Sequence, residues 1–318
     1  MSQELKATGG QADGLNQAIQ ADGLNRAIQA DSLNQADQAH NVSQKDQANQ
    51  TGQAYNVSQT AQTSQTGQAL DTVYGAYGQT GNALEVKGLV KNFPGCAALS
   101  GVDMAIPAGR IVGLLGPNAS GKTTLLKSIA GLLQPTKGEI SYSGGEGPGQ
   151  GARKSISFCP DLLTFPGWMC VKDAFIFYSD MYPDYSQGRA DELIKILALE
   201  NDQDTRIRKL SKGMKERLVM ALTYSRDTNL YLLDEPLDGI DPVGKTRVID
   251  AILAMQPEGA SALVSTHLVK DIERIFDNVY FLSKGKVVFS GECDAMREER
   301  GQTVEQAYLE VFIREGTI

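Results

Sequence analysis

The stretch Ile111-Val112-Gly113-Leu114-Leu115-Gly116-Pro117-Asn118-Ala119-Ser120-Gly121-Lys122-Thr123-Thr124-Leu125-Leu126 decides how this chain folds. From Gly116 to Thr123 it satisfies G-x-x-x-x-G-K-[ST], the phosphate-loop pattern. The apolar run 111–115 predicts a buried strand, and the residues from Thr124 to Leu133 have helical spacing. Strand, glycine-rich loop and helix form the context in which the pattern has a mechanism. The glycines let the backbone turn tightly, so that successive N–H groups point at phosphate oxygens, and the following helix N-terminus adds its dipole. The pattern nominates Gly116, Asn118, Ser120, Gly121, Lys122, Thr123 and Thr124 as nucleotide contacts. Lys122 would reach the β- and γ-phosphates, and the Thr123 hydroxyl would ligate Mg2+.

Downstream, Tyr231-Leu232-Leu233-Asp234-Glu235-Pro236 predicts a second buried strand ending in two acids. Ligands of a parallel sheet gather at the carboxyl ends of its strands, where the phosphate loop also lies. That places Asp234 to hold Mg2+ and Glu235 to orient and polarise an attacking water. The plainer alternative is a pair of acids closing a strand at a solvated loop. Ser211, in Leu210-Ser211-Lys212-Gly213-Met214, precedes a helix with an apolar face and suits a helix N-cap. With Gly213 it also suits an anionic γ-phosphate held by N–H groups and dipole. A nucleotide on the phosphate loop cannot easily reach this segment within one subunit, so the second surface would come from a partner. Ser265-Thr266-His267 ends a further strand, where His267 fits either a structural role or a γ-phosphate contact. Leu237 to Pro242 reads as a turn able to carry Asp241 across a dimer interface.

Composition divides the 318 residues unevenly. Residues 1–82 are rich in Gln, Ala and Asn, and a nine-residue unit recurs from Ala12, Ala21 and Ala30. Each unit offers only one or two aliphatic side chains, too few to offset backbone ordering of ~1–2 kcal/mol per residue. A disordered low-complexity tail is expected there, in preference to a small ordered solenoid. Residues 83–318 are an ordinary globular mixture, long enough to bury a core. The net charge of −8 speaks against a nucleic-acid surface. Cys96, Cys159, Cys170 and Cys293 are in no metal-ligand spacing and read as thiols of a reducing compartment. Neither a secretory signal nor an apolar stretch near ~18 residues is seen, so a soluble chain is expected.

Together these segments resemble the nucleotide-binding subunit of an ATP-binding cassette (ABC) transporter, from about Leu84 to Ile313. The resemblance makes the phosphate loop Walker A, Leu230 to Asp234 Walker B, Leu210 to Met214 the signature, Asp238 to Asp241 the D-loop and His267 the switch histidine. Phe93 matches the adenine-stacking aromatic, or is a core side chain. The implied fold is α/β: a P-loop NTPase (RecA-like) core, an antiparallel β-subdomain using 84–90, 102–106 and 139–143, and a helical subdomain from about 161 to 225. A closing hairpin is expected around Ser283-Lys284-Gly285, from 279–282 and 286–290.

Three departures from the family pattern stand out. Ala119 replaces the usual glycine, which costs ~1 kcal/mol if that site needs a positive φ. Lys212 and Met214 replace the commoner Gly and Gln of the signature. Asp161 stands where the Q-loop normally has Gln; it would ligate Mg2+ or hold a water, or is simply an acid on a hinge loop. The Lys-Gly-Met signature, Pro160-Asp161 and the stretch Trp168 to Phe175 look like the bacterial exporter-type branch, whose cassettes pair with ABC-2-type membrane subunits. Trp168 would line the groove for that subunit or be core. The resemblance thus implies an ATPase using ATP and Mg2+, dimerised with a second cassette and held on the inner face of the cell membrane by a permease, with no nucleic acid. Two alternatives are a soluble ABC ATPase acting on ribosomes or nucleic acid and a non-hydrolysing regulatory cassette. A single acidic cassette argues against the former, Glu235 and His267 against the latter.

Overall fold

A computed structural model describes residues 81–143, 156–160 and 165–314. The Gln-rich tail up to residue 80 and Asp161 lie outside the described residues. Two sheets organise the rest. Strands β1 (Asn82–Phe93), β2 (Cys96–Pro107) and β4 (Lys137–Tyr142) form an antiparallel sheet in the order β2-β1-β4. Strands β3 (Ile111–Leu115), β5 (Ile156–Cys159), β6 (Leu230–Asp234), β7 (Ser261–Thr266), β8 (Asn278–Ser283) and β9 (Lys286–Glu292) form the second, in the order β5-β6-β7-β3-β8-β9. All its pairings are parallel except the closing β8–β9 hairpin.

The central strands β3, β6, β7 and β8 are buried along their whole length because both faces of their sheet are covered. Side chains alternate between two cores, as the two-residue strand period requires. Leu230 and Leu232 of β6, with Val112 and Leu114 of β3, join a core shared with the antiparallel sheet and helix α1 (Lys122–Ile129). Tyr231 and Leu233, with Ile111 and Leu115, enter the opposite core. Helices α2 (Val171–Met181), α3 (Gln187–Ile196), α4 (Lys212–Tyr224) and α5 (Pro242–Met255) contribute to that second core. After the short α6 (Val269–Ile272), α7 (Cys293–Arg300) and α8 (Val304–Arg314) complete it. Phe281 of β8 packs on Phe289, Tyr308 and Phe312, which ties α8 to the sheet.

The antiparallel strands are longer than the apolar pattern predicts. β1 and β2 continue to the pair Phe93–Cys96, joined through Pro94-Gly95 with Gly95 at φ 78°. Proline followed by a glycine at positive φ is a type II turn pattern. It extends the ladder beyond the buried residues, where hydropathy carries no signal.

The segment between β5 and β6 holds α2, α3 and α4, as expected of a helical region. Arg226, just after α4, anchors it. Its guanidinium grips Asp184 through two bonds of 2.9 and 2.8 Å and donates to the Ile156 carbonyl of β5 at 2.7 Å. No described helix is long and apolar enough to cross a membrane.

Candidate active site

Gly121 makes the loop possible. Its φ is 111°, and a Cβ there would sit 2.7 Å from the Ala98 carbonyl oxygen, so both backbone and space demand glycine. The turn delivers Lys122 as the first residue of α1. Its buried Nζ donates to the carbonyls of Gly116 (2.7 Å) and Pro117 (3.2 Å) and pairs with Glu235 Oε1 at 3.0 Å. Ala119 adopts φ 63°, so the left-handed conformation is indeed occupied by an L-residue, at a cost of ~1–2 kcal/mol.

Strand β6 ends at Asp234, which is buried. Its Oδ1 accepts from Thr123 Oγ1 (3.1 Å) and from Ser265 Oγ (2.7 Å). Thr123 and Asp234 therefore meet, although 111 residues separate them in the chain. Glu235 follows at φ 49°. Such a strained conformation persists only where its surroundings hold it, and here the Glu235 N–H lies 3.1 Å from both the carbonyl and the hydroxyl oxygen of Ser265. One carboxylate oxygen of Glu235 takes Lys122. The other lies 2.9 Å from His267 Nδ1 and accepts the His267 backbone N–H at 3.2 Å. A lysine at the start of α1, a carboxylate just after β6 and an imidazole just after β7 are thus linked in a line.

A cavity of about 340 Å3 opens over the loop, lined by Asn118, Ser120, Lys122, Thr123, Thr124 and Glu235 among others. The Ser120 hydroxyl is buried and has no hydrogen-bond partner among the described residues. A second cavity of about 210 Å3 lies behind Glu235 and is lined by Asn118, Glu216, Glu235, Asp238 and His267.

Other predicted residues lie apart from these cavities. Phe93 sits at the β1–β2 turn, 41% exposed, with Lys91 Nζ 5.0 Å from its ring centre. It does not line the phosphate cavity, but Cys96, Ala97 and Ala98 of the following strand do. Ser211 caps α4, accepting from the Met214 N–H at 3.2 Å, and neither it nor Gly213 borders either cavity. Asp241 caps α5 by accepting from the N–H groups of Val243 and Gly244, which hold its carboxyl below the usual range. Trp168 is 71% exposed and so is not a core residue.

The sequence assigns no site role to four further residues. Ser265 lies opposite Asp234 in the β6–β7 ladder, a long-range pairing that hydropathy cannot register. Lys284 and Gly285 were legible only as a hairpin turn, yet that turn borders the phosphate cavity and Gly285 N–H donates to the Ser120 carbonyl. Glu216 shares a helical face with Met220 and Thr223, both buried, and this spacing was a signal of its burial.

The sequence profile described as "ABC transporter" matches residues 99–238. The ABC transporter ATP-binding protein YdbJ of Bacillus subtilis, itself uncharacterised, is 30% identical over 243 residues, covering 74% of this chain and 76% of the relative. The chain belongs to the ABC transporter family. It is an ATP-binding, ATP-hydrolysing subunit of that family. Nod factor export ATP-binding protein I of Rhizobium johnstonii is 29% identical over 69% of this ABC chain and 72% of its own length. The lantibiotic transport ATP-binding protein SrtF of Streptococcus pyogenes is 28% identical over 66% and 91%. A solved structure of an ATP-binding subunit of an ABC transporter superposes on the ABC chain with a TM-score of 0.64. It is 27% identical and covers 72% of this chain and 99% of its own. These relatives are transporter subunits, which disfavours the ribosome-directed alternative.

Proposed function

We propose that this chain powers export through an ABC-2-type permease, closing head to tail on a second cassette with ATP·Mg2+ held between them. The observation that carries the reading is the line Lys122–Glu235–His267 beside the Thr123–Asp234 contact. Lys122 neutralises the β- and γ-phosphates, and the N–H groups of the loop point at their oxygens. Glu235 takes the proton of the water whose oxygen bonds to the γ-phosphorus as the bond to ADP breaks. His267 holds the second Glu235 oxygen, which fixes the carboxylate toward that water.

The hydroxyl of Thr123 and the carboxylate of Asp234 are hard oxygen donors meeting at one point, a set that suits Mg2+. Asp161 is a further candidate ligand. The bound ion would neutralise charge on the phosphates. Phe93, exposed at its turn, is assigned to the adenine. Ser211, Gly213 and Asp241 are assigned to the partner's nucleotide; Ser211 is exposed at the N-terminus of α4, an end that suits an anion.

Export is favoured by the relatives named for Nod factor export and lantibiotic transport. Trp168, with Ile176, Phe177 and Met181 of α2, presents large exposed apolar side chains suited to a membrane subunit, which would keep the cassette at the inner membrane face. The deciding experiment is Glu235→Gln. It is expected to abolish phosphate release and to accumulate an ATP-bound dimer on size-exclusion chromatography. Wild-type turnover in that variant would remove the catalytic assignment.

A further inference from the structure

Ser265 is fully buried at the end of β7 and faces Asp234 across the parallel ladder. Its hydroxyl donates to Asp234 Oδ1 at 2.7 Å and accepts the N–H of Glu235 at 3.1 Å. One side-chain oxygen therefore touches both acids of Walker B. The direction of the chain is fixed by chemistry: the amide can only donate, the carboxylate can only accept, so the hydroxyl proton must point at Asp234. Each bond polarises the next in this dry environment.

We propose that Ser265 is a positioning residue for ATP hydrolysis, one that sets the Asp234 carboxylate for the metal and the Glu235 backbone for the water. The inference rests on the roles assigned above to Asp234 and Glu235. Two geometrical features support it. Asp234 Oδ1 already receives Thr123 Oγ1 at 3.1 Å, so the Ser265 proton is the second donor that holds that oxygen in place. Glu235 sits at φ 49°, where a non-glycine residue needs to be held. The Ser265 hydroxyl and carbonyl are the oxygens on its amide. A carboxylate swung away from Thr123 binds a divalent ion less well. A relaxed Glu235 backbone withdraws its side chain from Lys122 and His267 and misplaces the base.

The test is Ser265→Ala, assayed three ways beside Glu235→Gln. Mn2+ is titrated by electron paramagnetic resonance with a non-hydrolysable ATP analogue present, so that metal affinity is read without turnover. Loss of a residue supporting a metal-binding carboxylate predicts Mn2+ affinity about tenfold weaker. Loss of a hydrogen bond to a charged group predicts kcat about tenfold lower, with KM for ATP within about threefold of wild type. Nucleotide affinity measured in EDTA should be unchanged, because Ser265 borders neither cavity.

The inference is overturned if Mn2+ affinity and kcat both stay within twofold of wild type. It is equally overturned if EDTA-insensitive nucleotide binding falls in the same proportion as Mn2+ binding, since that marks general damage to the core. Full turnover in Glu235→Gln would instead sink the assignment on which the inference rests. An inactive Glu235→Gln with wild-type behaviour in Ser265→Ala sinks the inference alone.

Discussion

Replacing Asp184 by alanine should destabilise the protein severely without touching its chemistry. Asp184 accepts two hydrogen bonds from Arg226, at 2.9 and 2.8 Å, in a parallel bidentate pair. The arginine side chain is only 5% exposed. Removing one partner of a buried pair takes away the main compensation of the charge that stays and costs about 3–5 kcal/mol. Arg226 keeps its bond to the Ile156 carbonyl and its place 4.0 Å over the Tyr182 ring, so the lower end, about 3 kcal/mol, is expected. In a domain of this size each kcal/mol lowers Tm by about 2–4 °C, giving a drop of about 6–12 °C. Asp184→Asn keeps the shape and one acceptor and should lose about half as much. Differential scanning fluorimetry reads both, and ATPase activity at 20 °C should be retained because the pair borders neither cavity. A fall in Tm below 3 °C, or equal falls in the two variants, would refute the view that charge compensation anchors this segment.

Two further expectations concern the surface. Lys212 of the signature bonds Asp238 at 2.7 Å and holds that carboxyl below its usual range, chiefly through the hydrogen bond. A depressed folded pKa contributes stability above the unfolded value of about 3.9 and loses it as pH falls through the folded value. Both groups are half exposed, so the pair is worth at most about 0.5 kcal/mol. Urea midpoints of wild type and Lys212→Met should differ slightly at pH 7 in low salt, and converge as pH falls through the folded value of Asp238 or in about 1 M salt; a gap that does not narrow on acidification would exclude this pairing as the cause. Among the thiols, Cys96 is exposed and borders the phosphate cavity, while burial pushes Cys293 up to about 12 and Cys159 further still. Maleimide at pH 7 should modify Cys96 ahead of both, and ATP should slow it, as peptide mapping would reveal. Indifference of Cys96 to ATP would place the nucleotide elsewhere.

Much of the site was legible because its chemistry is local. Gly116 to Thr123 is one continuous loop whose glycines, lysine and threonine must be adjacent to cradle a phosphate. Asp234, Glu235 and His267 end apolar runs, and a run of that kind places its last residue at the ligand-bearing edge of a parallel sheet. Ser211 could be read either as a cap or as a phosphate contact, and the cap is present. The ends of β1 and β2 were not legible, because an exposed hairpin is fixed by its Pro94-Gly95 turn and by strand pairing rather than by burial.

The amino-acid order alone therefore committed the chain to a phosphate loop, an α/β core and ATP chemistry, since those follow from short-range patterns of glycine, charge and apolar period. Folding settled which distant groups share an atom: Ser265 on both Walker B acids, Thr123 on Asp234, and Glu235 stretched between Lys122 and His267. Such contacts depend on strand order β6-β7-β3 and on parallel register. Neither leaves a trace in one sequence, because strands buried on both faces carry no alternation of polar and apolar residues that would mark a neighbour or a register.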